Sequence, residues 1–259
     1  MAHAFKVRID EVRVPAPDHV ELIVHSGELT KARPGQFCHV LTPGMLRRPI
    51  SFSRIDRARE RVGLLVQVVG SGTRWMAERQ AGEWLDVLGP LGRGFDPPEG
   101  ERPWLLVGGG VGIPPIFAAL EAWGARHTSS LEVVLGARFK DYLIMTDDFR
   151  QMAVEPALAT DDGSAGYWGT VVPLVDKWVS QHPQGQLMAC GPTPMLAAVS
   201  RTAASLAGPV QLALEQRMGC GIGACLACVV PAAPVGPEGP RYRRVCTDGP
   251  VFRREELVF

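Results

Sequence analysis

Val107-Gly108-Gly109-Gly110-Val111-Gly112-Ile113-Pro114-Pro115 is the stretch that decides the architecture. Apolar residues from Trp104 to Val107 run into successive glycines, and two prolines follow where a helix would begin. A buried strand that breaks at a glycine turn and continues as a helix reads as the first crossover of a parallel α/β sheet. Proline suits the first helical turn, because the N–H it lacks would have no partner there. The third glycine of the six-position dinucleotide fingerprint is missing, and Gly110-x-Gly112-x-x-Pro115 stands in its place. A glycine turn alone can be purely structural. At a strand-to-helix crossover, however, free N–H groups and the positive helix end can hold a pyrophosphate.

Working outward from this turn, residues 100–214 keep one rhythm. Apolar runs at Trp104–Val107, Leu131–Leu135, Ala157–Thr160, Gln186–Cys190 and Val210–Leu214 alternate with helical patterns starting near Pro114, Asp141, Thr170 and Thr193. Continuous apolar strands separated by helices predict a parallel sheet covered on both faces. Residues 1–99 read differently. Lys6–Val14 alternates apolar and polar residues, and Val20–Val24, Phe37–Leu41, Ile50–Ile55 and Val62–Val69 follow between turns such as Pro34-Gly35 and Pro43-Gly44. This pattern predicts an antiparallel β-barrel or sandwich with one helix, Thr73–Arg79. Residues 215–259 are too few for a core of their own and call for a staple such as a metal. Within them Pro231–Pro240 is read as a loop.

Composition narrows the function. Lys and Arg number 27 against 27 Asp and Glu, so the formal net charge is zero, which argues against a nucleic-acid binder. The uncharged stretch Pro103–Leu120 is too short and too broken by Gly and Pro to span a membrane. The N-terminus mixes charges among its apolar residues and lacks the apolar run of a signal peptide, so a cytoplasmic protein is expected. In that compartment clustered cysteines are metal ligands more often than disulfides.

Four of the six cysteines lie near the end of the chain, Cys220, Cys225, Cys228 and Cys246. The C-x4-C-x2-C run with a distant fourth Cys is the spacing of plant-type 2Fe–2S sites. Gly219, Gly221 and Gly223 would let backbone N–H groups approach the sulfurs. A structural zinc site is the other reading, although zinc sites more often pair C-x2-C with a second such pair. Cys246 precedes the turn Asp248-Gly249 and is expected on a strand of a small hairpin. Cys38, on a β-pattern, reads as a core residue.

Arg48-Pro49-Ile50-Ser51 offers a guanidinium with a hydroxyl three residues on, a pair able to clamp a phosphate. With Gly110–Pro115 and Cys190-Gly191-Pro192, this stretch resembles the ferredoxin–NAD(P)H reductase superfamily. With Leu46–Ser51, Thr160–Ser164, Met218–Cys225 and Val245–Phe252, the chain resembles the electron-transfer subunits of two-subunit, NAD-dependent dihydroorotate dehydrogenases.

The resemblance implies an FAD-binding antiparallel β-barrel (1–99), an NAD-binding parallel α/β domain (100–214) and a small 2Fe–2S domain (215–259). It implies that Arg48, Pro49, Ile50 and Ser51 hold FAD, that Leu65, Val66 and Gln67 line the flavin, and that Gly72 and Thr73 take the pyrophosphate. Gly110 and Gly112 would admit NADH, and Cys190 with Gly191 would border the nicotinamide pocket. Cys220, Cys225, Cys228 and Cys246 would bind the cluster. The partner implied is an FMN-containing dihydroorotate dehydrogenase catalytic subunit, in a heterotetramer of two plus two, serving pyrimidine biosynthesis.

The chemistry agrees with this order of sites. NADH yields two electrons together, a 2Fe–2S centre takes one at a time, and a flavin can convert between them. Hydride transfer needs no acid–base residue, so none is named as catalytic. No stretch remains for a final substrate site, so electrons are expected to pass to or from another protein. Asp161 and Asp162 would disfavour the 2′-phosphate of NADP, while Arg138 and Lys140 pull the other way; the balance taken is NAD. A flavin–iron–sulfur subunit of a hydrogenase, a transhydrogenase or a ferredoxin:NADP reductase, and a zinc-stabilised nucleotide-sensing module, are the alternatives.

Overall fold

The computed structural model describes residues 3–44, 46–126, 131–234 and 241–259. Six antiparallel strands close a barrel: β1 (Ala4–Ala16), β2 (His19–His25), β3 (Phe37–Val40), β4 (Arg48–Asp56), β5 (Arg61–Gln67) and β6 (Trp84–Leu91), in the order β1-β2-β5-β4-β3-β6. Alternation puts Ile9, Leu22, Val40, Phe52, Leu64 and Leu85 inside. Cys38 joins that core, and burial pushes its thiol up to about 12. Helix α1 (Ser71–Ala77) leaves the end of β5. Strand β6 was not among the expected strands, and it carries Gly89-Pro90 near its end. Here Gly89 faces Cys38, and a Cβ on it would lie 2.8 Å from the cysteine Cβ. Its lack of a side chain is what lets β6 lie against β3.

The second unit is a sheet ordered β10-β9-β8-β7-β11-β12-β15. Its parallel strands are β7 (Trp104–Gly109), β8 (Leu131–Ala137), β9 (Ala157–Thr160), β10 (Tyr167–Trp168), β11 (Gln186–Cys190) and β12 (Val210–Ala213). Helices α2 (Ile113–Trp123) and α3 (Thr146–Gln151) cover one face, with Ile116, Phe117 and Phe149 on Leu106 and Met188. Helices α4 (Val172–Gln181) and α5 (Thr193–Thr202) cover the other, with Val175, Trp178 and Leu196 on Leu105, Val107 and Leu187. The helix expected near Asp141 begins at Thr146; a single 3-10 turn, Lys140–Tyr142, precedes it.

The tail is stitched into this sheet. After a hairpin of β13 (Val229–Pro231) and β14 (Tyr242–Arg244), β15 (Val251–Arg253) adds antiparallel to β12, pairing Leu212 with Phe252. Cys228, Val230, Val245, Cys246 and Phe252 belong to the same buried cluster as Phe37 of the barrel and Leu187 of the sheet. The tail thus makes up for its lack of a core by sharing one. Pro231 lies on β13, while residues 235–240 of the expected loop fall outside the described residues. Cys246 follows β14 in a turn and is not on a strand, since Thr247 and Asp248 N–H donate back to the Arg244 carbonyl at 3.2 and 2.8 Å and bring the chain round.

Two confluent clefts and a cysteine loop

The barrel strands β4 and β5, the glycine turn and the tail meet around a cavity of about 270 Å³. Pro49, Ile50 and Ser51 come from β4 and Leu65, Val66 and Gln67 from β5. Val111, Gly112, Cys190 and Gly191 face them from the α/β unit, and Leu214 to Gln216 with Met218 close the side next to the cysteines. Thr73 also lines the cavity, but its hydroxyl is engaged, accepting from Val69 and Gly70 N–H (2.9 and 3.0 Å) and donating to the Gly70 carbonyl. Arg48 and Gly72 do not line the cavity. Arg48 donates to the Leu46 carbonyl at 2.7 Å, and its guanidinium occupies the space that a Gly72 side chain would need.

A second cleft, of about 740 Å³, opens over the carboxyl ends of β7, β8 and β9, where ligands of open parallel sheets bind. It shares Gln67, Val69, Val111 and Glu215 with the first, so the two are continuous. Gly110 lines it with φ +53°, and nothing lies within 4 Å of where its Cβ would be. Gly112 serves a different end: a Cβ there would collide with the Cys190 carbonyl, so this glycine lets the turn seat against β11. Cys190 itself is a poor nucleophile, its thiol pushed up to about 12 by burial and then by the charge of Glu215. Asp161 and Arg138 both reach this cleft. Asp162 turns away from it to accept from the Ser164 hydroxyl, which with the Ser164 N–H holds its carboxyl below the usual range. Phe139, Tyr142, Glu215 and Met218 were not singled out from the sequence. Glu215 and Met218 just follow a parallel strand, a position that points to ligands in this class of sheet.

The four tail cysteines fall into two pairs. In the outer pair, Cys220 Sγ accepts from Ala224 and Cys225 N–H at 3.3 and 3.4 Å. Burial would raise the Cys220 thiol, but N–H donors from Cys225, Ile222 and Ala224 and the Cys225 thiol outweigh it and hold it at about 6. Gly221 and Gly223, with φ of +71° and +81°, fold this loop. In the inner, buried pair, Cys228 Sγ accepts from Cys246 N–H at 3.4 Å. Burial and the adjacent Cys228 push the Cys246 thiol up to about 12. Among the described residues, no three Cys, His, Asp or Glu side chains converge as a single metal ion needs. Two pairs of thiols, with Cys220 already favouring thiolate, suit a dinuclear cluster. Arg244 fixes the adjoining turn through Asp248, at 2.9 Å.

Comparison with known proteins agrees with this division. Residues 215–258 match the iron-sulfur cluster binding domain of dihydroorotate dehydrogenase B, and residues 106–201 match the oxidoreductase NAD-binding domain. The dihydroorotate dehydrogenase B (NAD(+)) electron transfer subunit of Shouchella clausii is 41% identical, over 94% of this chain and 93% of its own. Those of Bacillus caldolyticus and Desulforamulus reducens are 40% and 34% identical, over 90% and 100% of both chains respectively. A chain in a solved structure of the NADH-dependent reduced ferredoxin-NADP oxidoreductase superposes with a TM-score of 0.82 at 32% identity, covering 97% of this chain and 89% of that one.

Proposed function

Because the chain belongs to the family of dihydroorotate dehydrogenase B (NAD(+)) electron transfer subunits, we propose that it carries electrons between NAD and a catalytic partner that interconverts dihydroorotate and orotate. One observation carries the reading. Met218, at the mouth of the cysteine loop, lines the same cavity as Leu65–Gln67 of the barrel and Gly112 of the nucleotide turn. Barrel, nucleotide turn and the start of the cysteine loop therefore border a single cavity, which is what electron passage among their cofactors requires.

Each unit has a task. Pro49, Ile50, Ser51, Leu65, Val66 and Gln67 form the wall on which FAD rests; Thr73, at the start of α1, marks its phosphate end, where Arg48, packed on Gly72 outside the cavity, reaches a phosphate only by releasing the Leu46 carbonyl. Bound there, FAD supplies the conversion between electron pairs and single electrons. Gly110 admits the NAD diphosphate to the turn before α2, while Gly112 and Cys190 set the floor on which the nicotinamide end lies, with Gly191 beside it. Apolar neighbours keep water from the hydride path, and no side chain needs to move a proton there. Cys220, Cys225, Cys228 and Cys246 hold the 2Fe–2S cluster, with the outer pair nearer solvent and so nearer a docking protein. The barrel (1–99), nucleotide domain (100–214) and cluster segment (215–259) act as one unit.

The partner in this reading is an FMN-bearing catalytic subunit in a two-plus-two heterotetramer in the cytoplasm. No helix among the described residues is long and apolar enough to cross a membrane. The similarity to a ferredoxin-NADP oxidoreductase chain favours a second reading, in which the partner is another flavoenzyme. Purification from the native cell decides between them. Retention of an FMN subunit, with dihydroorotate-dependent reduction of NAD, supports the first. A ferredoxin- or NADP-linked partner replaces it with the second.

A further inference from the structure

On β3 the side chains alternate: Cys38 and Val40 enter the barrel core, and Phe37 and His39 point outward. Phe37 lines the first cleft and packs in the buried cluster that contains Cys228 and Cys246. His39, its ring centroid 5.7 Å from that of Phe37, is fully buried against the cysteine loop. A Cβ on Gly221 would lie 2.8, 2.9 and 3.0 Å from the ring atoms Cε1, Nδ1 and Nε2. Only glycine, immediately after Cys220, leaves room for this imidazole.

Among the described residues, neither His39 ring nitrogen has a hydrogen-bond partner. Arg47 approaches the backbone instead, donating to the His39 carbonyl at 3.3 Å. A buried polar group left unpaired loses its hydration without replacement, so such an orphan calls for a partner. The ring lies where the barrel wall meets the loop that encloses the thiols. The group that this loop is built to hold has sulfurs that accept hydrogen bonds. We propose that the His39 imidazole donates its N–H to a sulfur of the 2Fe–2S cluster held by Cys220, Cys225, Cys228 and Cys246, and so raises the cluster's reduction potential. Reduction adds negative charge to the cluster, so the bond strengthens in the reduced state, and hydrogen bonds to the sulfurs are among the factors that set cluster potentials. Cluster and barrel are thereby joined on the side of the flavin cleft. The inference rests on the reading of the cysteines as a 2Fe–2S site.

The test is an EPR-monitored redox titration of the whole protein, parent against His39→Phe and His39→Gln. Phe keeps an aromatic ring without the N–H, and Gln restores a donor. His39→Phe is expected to hold iron and sulfide at the parent level with its midpoint moved negative by about a tenfold change in the reduction equilibrium, ~59 mV for one electron. His39→Gln is expected to recover part of the shift. A fully loaded His39→Phe with the parent midpoint overturns the proposal. Should His39→Phe fail to fold or load, pulsed EPR of the reduced parent labelled with [15N]histidine decides. A 15N coupling to the cluster supports the bond, and its absence overturns it. A parent lacking iron and sulfide overturns the cluster assignment itself, a result distinct from an unmoved midpoint.

Discussion

In the barrel, Leu22, Phe52, Leu64 and Leu85 are fully buried between strands that close on themselves, and the cleft residues Pro49–Ser51 and Leu65–Gln67 are carried on that wall. The cysteine segment has no such interior. Its buried residues Val230, Val245 and Phe252 pack into the core of the sheet, and Ile222 and Leu226 stand more than half exposed. Burial of each large apolar side chain contributes about 1.5–3 kcal/mol, so the barrel has a core of its own that owes nothing to a cofactor. The cysteine segment is anchored on its inner side by contacts with the sheet and left open on its outer side. Under the proposed site assignment the two cofactors would play different stabilising parts: FAD would occupy a surface that exists without it, whereas the cluster would complete the loop that carries it.

The sharpest way to break this contrast is to remove one ligand. Cys246→Ala takes away an inner thiol without touching β4 or β5. Iron and sulfide are expected to fall below detection, since losing even supporting contacts costs metal sites ~10–100-fold in affinity. FAD content and NADH-driven reduction of a small dye are expected to stay within about twofold of the parent, and electron transfer to the partner to vanish. Joint loss of flavin and cluster, read from the visible spectrum and metal analysis, would refute the independence of the two regions.

A smaller effect is expected at the seam between the barrel and the α/β unit. Glu21, on β2 and almost fully buried, accepts from Ser53 Oγ at 2.6 Å and Arg54 Nε at 3.0 Å. Arg54 reaches on to Asp148 of α3 at 2.7 Å and stacks over Phe117 of α2. Arg54→Ala leaves a buried carboxylate with Ser53 and the more distant Arg13, 3.8 Å away. The expected cost is about 3 kcal/mol, the low end for a broken buried pair, measured by denaturant unfolding. Because Glu21 lies opposite Leu65 of the cleft wall in the barrel register, FAD affinity should fall with the cluster content unchanged. A loss of cluster instead would reverse the comparison.

These contrasts were unequally legible in the sequence. Periodicity of two and continuous apolar runs gave five barrel strands and the parallel strands β7, β8, β9, β11 and β12, because local alternation reports which face is buried. Strand β6 was missed because the fit of its Gly89 depends on Cys38 of the neighbouring strand β3, a partner distant in sequence. The attachment of Val251–Arg253 to β12 was hidden for the same reason: a three-residue strand has no period to read. The cysteine spacing announced a cluster, but it did not reveal that Cys246 sits in a turn or that His39 lies against Gly221. The flavin-lining role of Leu65–Gln67 and the NADH role of Gly110 and Gly112 came from motif resemblance. Gly112 shows the limit of that route, since its lack of a side chain serves the Cys190 backbone as well as any ligand.

The smallest expected effect lies where both regions are tied to the sheet. Asp96, between the barrel and β7, accepts from Arg33 of the barrel side at 3.0 Å, from Arg93 at 3.2 Å and from Arg253 of β15 at 3.3 Å. Its backbone N–H donates to Gln211 Oε1 of β12 at 2.8 Å. Partial burial would raise its carboxyl, but Arg33 and Arg93 outweigh that and hold it below the ordinary value. A carboxylate with a depressed folded-state pKa binds fewer protons than the unfolded chain does as the pH falls. Its stabilisation is therefore complete above the unfolded value near 4 and is lost as pH drops through the lower folded value. Asp96→Asn is expected to cost about 1 kcal/mol at neutral pH, as a partly exposed network allows, and to flatten the loss of stability below pH ~4. Since Asp96 touches the barrel and β15 alike, the flavin-wall and cysteine regions should weaken together. Hydrogen exchange that quickened in β15 alone would show that the cysteine segment, and not the barrel, depends on this knot.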